Sequence, residues 1–170
     1  MSAHRRTFVV ITAALALALL AACGSDKKTP AASASSAPAA TTTTTAAFDE
    51  AAAKAQITKA FETFFNGTVT DQNLKLQQLA EPDKLKALFN ENFTKNATVA
   101  AMTVAQVETI TFGTDKTKAD VVYTLVVSGT PALQHFGGSA VFTGGYWRIT
   151  TASFCDITYI GATQPPECTS

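Results

Sequence analysis

The apolar pattern of this chain changes period near residue 100, and that change restricts the folds open to it. Before it, Ile57, Phe61, Phe64 and Phe65 recur at i, i+4, i+7 and i+8, which puts all four on one helix face. Asn66-Gly67 closes that helix, since glycine readily follows a last helical turn. Thr70 or Asp71 can cap a second helix carrying Leu74, Leu76 and Leu79. Glu81-Pro82-Asp83 breaks and restarts the chain, and Leu85, Leu88, Phe89 and Phe93 form a third stripe. After the change, Ala119, Val121, Tyr123, Leu125 and Val127 alternate with more polar neighbours, the pattern of a half-buried strand. Val104–Phe112 is β-rich, and its alternation slips at Val107, which predicts a bulge. Gly144-Gly145 between Ser139–Thr143 and Tyr146–Thr151 is a two-residue hairpin signal. The last strand is expected to continue through Phe154 to Ile160. Helices followed by a strand meander predict an α+β fold, with N-terminal helices packed on one face of a curved antiparallel sheet.

The first 47 residues have a different character. His4, Arg5 and Arg6 precede an apolar run from Phe8 to Ala22, too short to span a bilayer comfortably, which takes ~20 residues. A positive segment, a short apolar segment and small residues at the end read as a signal peptide over residues 1–22. The run ends in Leu20-Ala21-Ala22-Cys23, which resembles a bacterial lipobox. That resemblance implies diacylglycerol on Cys23, which becomes the mature N-terminus. A plain secretory signal is the alternative, and Arg5-Arg6 also fits twin-arginine export. Two acyl chains on one residue suffice for stable anchoring, which puts the mature protein on the extracytoplasmic face of the cell membrane. Residues 23–47 are then the lipidated cysteine and a linker of Ala, Ser, Thr and Pro, with too little apolar area to offset its ordering entropy. A coil of that length averages ~25–30 Å end to end. Thr41–Thr45 gives the linker the composition of an O-glycosylated stalk, with a bare spacer as the alternative. Residues 48–170 are long enough for one domain with its own core.

Charge and cysteine content narrow the function. The chain has 13 basic and 13 acidic residues; removing Arg5 and Arg6 with the signal leaves 11 against 13, a net of −2. Such a protein has no electrostatic footprint for nucleic acid and no basic cluster to hold it on anionic lipid. With Cys23 lipidated, Cys155 and Cys168 remain, an even number outside the cytoplasm. They are expected to bridge, closing a turn that contains Gly161, Pro165 and Pro166, with two free thiols as the alternative. No histidine or third cysteine near them in sequence suggests a metal site.

The C-terminal segment carries a family resemblance. Gly144-Gly145-Tyr146-Trp147-Arg148-Ile149, then Phe154-Cys155, then Pro165-Pro166-Glu167-Cys168 resembles the end of the low-molecular-weight antigen family of mycobacteria and their relatives. The order of elements resembles the nuclear transport factor 2-like, cystatin-like cone fold. The resemblance covers residues 48–170. It implies a secreted or surface-exposed actinobacterial antigen without established enzymatic activity. The lipobox departs from members released freely into the medium.

A cone can enclose a pocket, and fold alone does not decide what it holds. An isomerase would need a carboxylate base and a hydrogen-bonding acid facing one cavity. The polar residues on strand-like segments are Glu108, Asp120, Tyr123, His135, Tyr146 and Asp156. Asp120 and Tyr123 fall on opposite faces of their strand, and His135 is expected in a solvated loop or at a strand start. No catalytic set and no cofactor site is therefore expected. The expected function is a non-enzymatic envelope lipoprotein that binds an envelope protein, with carriage of a small apolar ligand as the second reading and an isomerase-like enzyme as the third. The 11 phenylalanines favour the carrier, with Phe61, Phe65, Tyr123 and Trp147 as candidates to line its pocket and Trp147 also expected to pack beside the hairpin. Association of two copies through the sheet is left open.

Overall fold

The computed structural model describes residues 47–169. The expected signal peptide over 1–22, lipidation at Cys23 and the linker up to residue 46 lie outside the described residues. Among the described residues, no helix is long and apolar enough to cross a membrane.

Four helices lead the domain: α1 (Glu50–Phe65), α2 (Gln72–Leu76), α3 (Pro82–Lys95) and α4 (Ala97–Ala100). Asp49 caps α1 by accepting from the Ala52 N–H at 2.9 Å, and Asp71 caps α2 by accepting from Asn73 and Leu74. Pro82 sits in the first turn of α3, where its missing N–H costs nothing. The helical stripes face inward as expected, except that Leu74 lies outside and is largely exposed.

The strands β1 (Thr103–Phe112), β2 (Lys118–Val127), β3 (Thr130–Thr143) and β4 (Tyr146–Ile149) form one antiparallel sheet in sequence order. Gly144 and Gly145 both take positive φ, 60° and 84°, as the hairpin turn between β3 and β4 demands. Ser128 and Gly129 do the same between β2 and β3. Glu108 is the extra residue of a bulge in β1, one position beyond the slip at Val107. In β3, Gln134 and His135 together oppose Thr124 of β2, and Ala132 is a further unpaired residue. Bulges bend strands and raise their twist, and the sheet curls into a half-barrel against the helices. The observed class is thus α+β.

Two expectations are corrected. The segment Leu133–Gly138, expected as a loop or strand start around His135, lies within the long strand β3, whose bulges break the alternation. The strand expected to run through Phe154 to Ile160 is instead helix α5 (Thr151–Thr158). Pairing of β4 ends at Ile149, whose N–H and C=O bond to Gln78 O and Ala80 N, so the α2–α3 segment covers the sheet edge. Thr150 then caps α5 by accepting from the Ser153 N–H at 3.2 Å. The core between sheet and helices includes Ile57, Phe61, Leu79, Leu85, Val121, Tyr123, Ile149 and Phe154, each burying enough apolar area to contribute about 1.5–3 kcal/mol.

Candidate ligand pocket

The curl of the sheet leaves a pocket of about 410 Å³ between the bulged ends of β2 and β3 and the helices. That lies within the range of about 300–1,000 Å³ usual for small-molecule sites. Its walls are mostly apolar: Phe64 and Phe65 from the end of α1, Phe89 and Phe93 from α3, Leu125 from β2 and Phe154 from α5. Phe64 packs edge-on against Phe65 and Phe154 and also meets Phe89, which stacks on Phe93, so one connected aromatic set forms the wall.

One ionisable side chain lines this pocket, Lys75. It is only 3% exposed. Its ammonium Nζ donates to Phe64 O at 3.0 Å and Asn66 O at 2.8 Å, carbonyls at the C-terminal end of α1. A cation is favourable there because the aligned peptide dipoles leave partial negative charge. Nζ also lies 5.8 Å from the ring centre of Phe93. No carboxylate among the described residues lies within ion-pair distance of it. Burial pushes the Lys75 ammonium pKa down. Three of the other polar lining groups are occupied: Asn92 Nδ2 donates to Leu88 O and Tyr159 Oη, Asn96 Nδ2 to Asn92 O, and Thr103 Oγ1 to Val99 O.

The residues read from sequence as pocket-lining separate. Phe65 lines the pocket. Phe61 and Tyr123 lie in the closed core behind it, with ring centres 5.1 Å apart. Tyr123 is fully buried, and its Oη has no hydrogen-bond partner among the described residues. Burial, reinforced by the charge of Asp156, raises its pKa. Trp147 packs between Phe112 and Phe142 and borders a second cleft of about 720 Å³ against α1 and α2. Arg148 also borders that cleft, but its guanidinium donates to Gln77 O. Cys155 and Cys168 form a disulfide with Cα atoms 5.7 Å apart, fastening α5 to the C-terminal tail.

The polar candidates do not converge on the pocket. Asp120 is exposed while Tyr123 points inward, and Asp156 accepts from Gln164 at the surface. Glu108, Thr124 and His135 do meet, because the bulges in β1 and β3 bring both neighbours onto Thr124. Glu108 accepts from Thr124 Oγ1 at 2.6 Å and lies 2.6 Å from His135 Nδ1. The Thr124 hydroxyl spends its proton on Glu108 and accepts from the His135 N–H, so it is not set up as a nucleophile activated by the imidazole. Among the described residues, no group of three or more His, Cys, Asp or Glu stands close enough to hold a metal ion.

The sequence carries no signal for Lys75: it lies between Leu74 and Leu76 in a helix of five residues, and the carbonyls that hold it inward belong to the end of α1.

Comparison with known proteins gives one finding. The family profile described as low molecular weight antigen MTB12, C-terminal domain, matches residues 49–165. No curated protein and no solved structure matches the chain.

Proposed function

This chain belongs to the family of the low molecular weight antigen MTB12, C-terminal domain, and on that premise we propose that it is an antigen-like lipoprotein of the cell envelope whose domain holds an apolar ligand without transforming it. We read its cone as nuclear transport factor 2-like. Cys23 carries the lipid, residues 24–47 tether the domain, and the disulfide between Cys155 and Cys168 locks its C-terminal end.

The pocket carries this reading. An aromatic and aliphatic cavity of about 410 Å³ with one ionisable group suits an apolar guest. A single ammonium, with no carboxylate or imidazole beside it, offers no acid–base pair for isomerase chemistry. The test is saturable 1:1 binding of the neutral fluorophore N-phenyl-1-naphthylamine to the exported chain carrying Cys23→Ala. Ala132, exposed in the pocket lining, is replaced by tryptophan as the blocking control. Binding that disappears in Ala132→Trp at unchanged melting temperature supports the reading. Absence of saturable binding removes it. Anchoring is tested separately by the intact mass of the wild-type protein from membranes, which should begin at Cys23 and carry diacylglycerol.

A second reading, contact with an envelope protein, draws on Tyr146 and Phe142, 65% and 43% exposed on the β3–β4 hairpin. Crosslinking in envelope preparations that survives Tyr146→Ala unchanged would count against it.

A further inference from the structure

We infer that the pocket selects a single-chain carboxylate, a fatty acid, whose head group is received by Lys75 and whose chain lies along the phenylalanine wall. This inference rests on the apolar-ligand reading and adds the chemistry of the head group.

Taking an ammonium out of water is expensive unless it is paired or fully hydrogen-bonded. An ammonium has three N–H donors. Two of them are engaged by Phe64 O and Asn66 O, which are neutral acceptors. The third has no acceptor among the described residues, and Lys75 is part of the pocket wall. A cation needed only to cap α1 would gain the dipole interaction from the surface, without desolvation. Placing it against the phenylalanine wall leaves one donor free and a positive charge with no countercharge among the described residues, beside an apolar cavity.

The charge and donor count then specify the guest. One remaining N–H and one positive charge match a carboxylate, which carries a single negative charge. A phosphate dianion needs several more donors; the Asn92, Asn96 and Thr103 donors in the wall are already committed, which leaves a single neutral hydroxyl, that of Thr158, beside Lys75. The rest of the lining offers aromatic and aliphatic surface, which rewards an alkyl chain over a second polar group.

The experiment measures displacement of N-phenyl-1-naphthylamine by dodecanoate and by methyl dodecanoate from the exported chain carrying Cys23→Ala. The two probes share a chain and differ in the charge. A charge-assisted hydrogen bond to a buried partner predicts that dodecanoate binds at least about 10-fold more tightly. Dodecyltrimethylammonium should bind more weakly than the ester. In Lys75→Met the preference for dodecanoate should vanish while ester binding persists, and Lys75→Arg should recover part of it. If Lys75→Met does not fold, the wild-type order of the three probes decides. Equal binding of acid and ester by the wild type overturns the carboxylate inference and leaves the apolar pocket standing. Failure of every probe to bind overturns the pocket reading itself.

Discussion

Replacing Tyr123 with phenylalanine should make the domain more stable, the reverse of the usual result for a buried tyrosine. The ring is fully buried and packed against Phe61, Phe65 and Phe136 at centroid separations of 5.1, 5.5 and 5.8 Å. Tyr123→Phe keeps those contacts. It removes a hydroxyl that has no hydrogen-bond partner among the described residues. Burying a hydroxyl without a partner costs about 1–3 kcal/mol, and the dispersion lost with one oxygen offsets part of that. The expected net gain is about 1–2 kcal/mol. For a domain of this size, 1 kcal/mol moves the melting temperature by about 3–5 °C. Urea denaturation should show a higher midpoint at unchanged slope. A loss of about 1 kcal/mol, as for a satisfied hydroxyl, would refute the reasoning and mean that Tyr123 Oη is hydrogen-bonded in solution.

Three further outcomes follow from named contacts. Replacing Cys155 and Cys168 together by alanine should cost about 3 kcal/mol, the chain-entropy value for a loop near this size, read from the urea midpoint; a loss under about 1 kcal/mol would contradict it. A Cβ on Gly67 would lie 2.2 Å from Ala101 O, so Gly67→Ala should destabilise by about 1–3 kcal/mol. Gly113→Ala, where a Cβ meets nothing within 4 Å, should be close to neutral in the same melt. Hydrogen bonds from Thr124 and then His135 hold the Glu108 carboxyl below its ordinary pKa of 4.5. The unfolded chain therefore takes up that proton first as pH falls. The stabilisation from Glu108 is complete above about 4.5 and is lost as pH drops through the lower native value. A carbon-13 titration should place the native midpoint under 4.5, and Glu108→Gln should flatten the acid limb of stability; a midpoint at or above 4.5 would contradict the assignment.

Much of this architecture was legible because single periods ran unbroken over long stretches. The stripe from Ile57 to Phe65 and the alternation from Ala119 to Val127 each report one buried face, and both elements lie where those patterns place them. Legibility failed where tertiary contacts override the local pattern. Bulges at Ala132 and at Gln134-His135 break the alternation of β3, so a long strand reads as a loop. The pattern also hides that β4 stops pairing at Ile149, where it meets Gln78 and Ala80 across some seventy residues of chain, and that Thr150 caps helix α5 straight after it. Gly67 was correctly placed at the end of α1, but its reason is different: its φ is not positive, and what it provides is room for the Ala100–Ala101 backbone.

The site divided along the same line. The disulfide followed from counting cysteines, and Phe65 from a helical stripe. Lys75 escaped because a lysine between two leucines reads as the solvated side of a short helix. Its inward direction depends on where the carbonyls at the end of α1 come to rest.

The most direct test of a ligand-holding domain is native mass spectrometry of the exported chain carrying Cys23→Ala, recovered from an actinobacterial host without detergent. A ligand-holding domain should carry a bound species at 1:1 stoichiometry that is released on denaturation, depleted in Ala132→Trp, and identified as a compound with an alkyl chain. A bare chain from that host that also fails to take up N-phenyl-1-naphthylamine would contradict it.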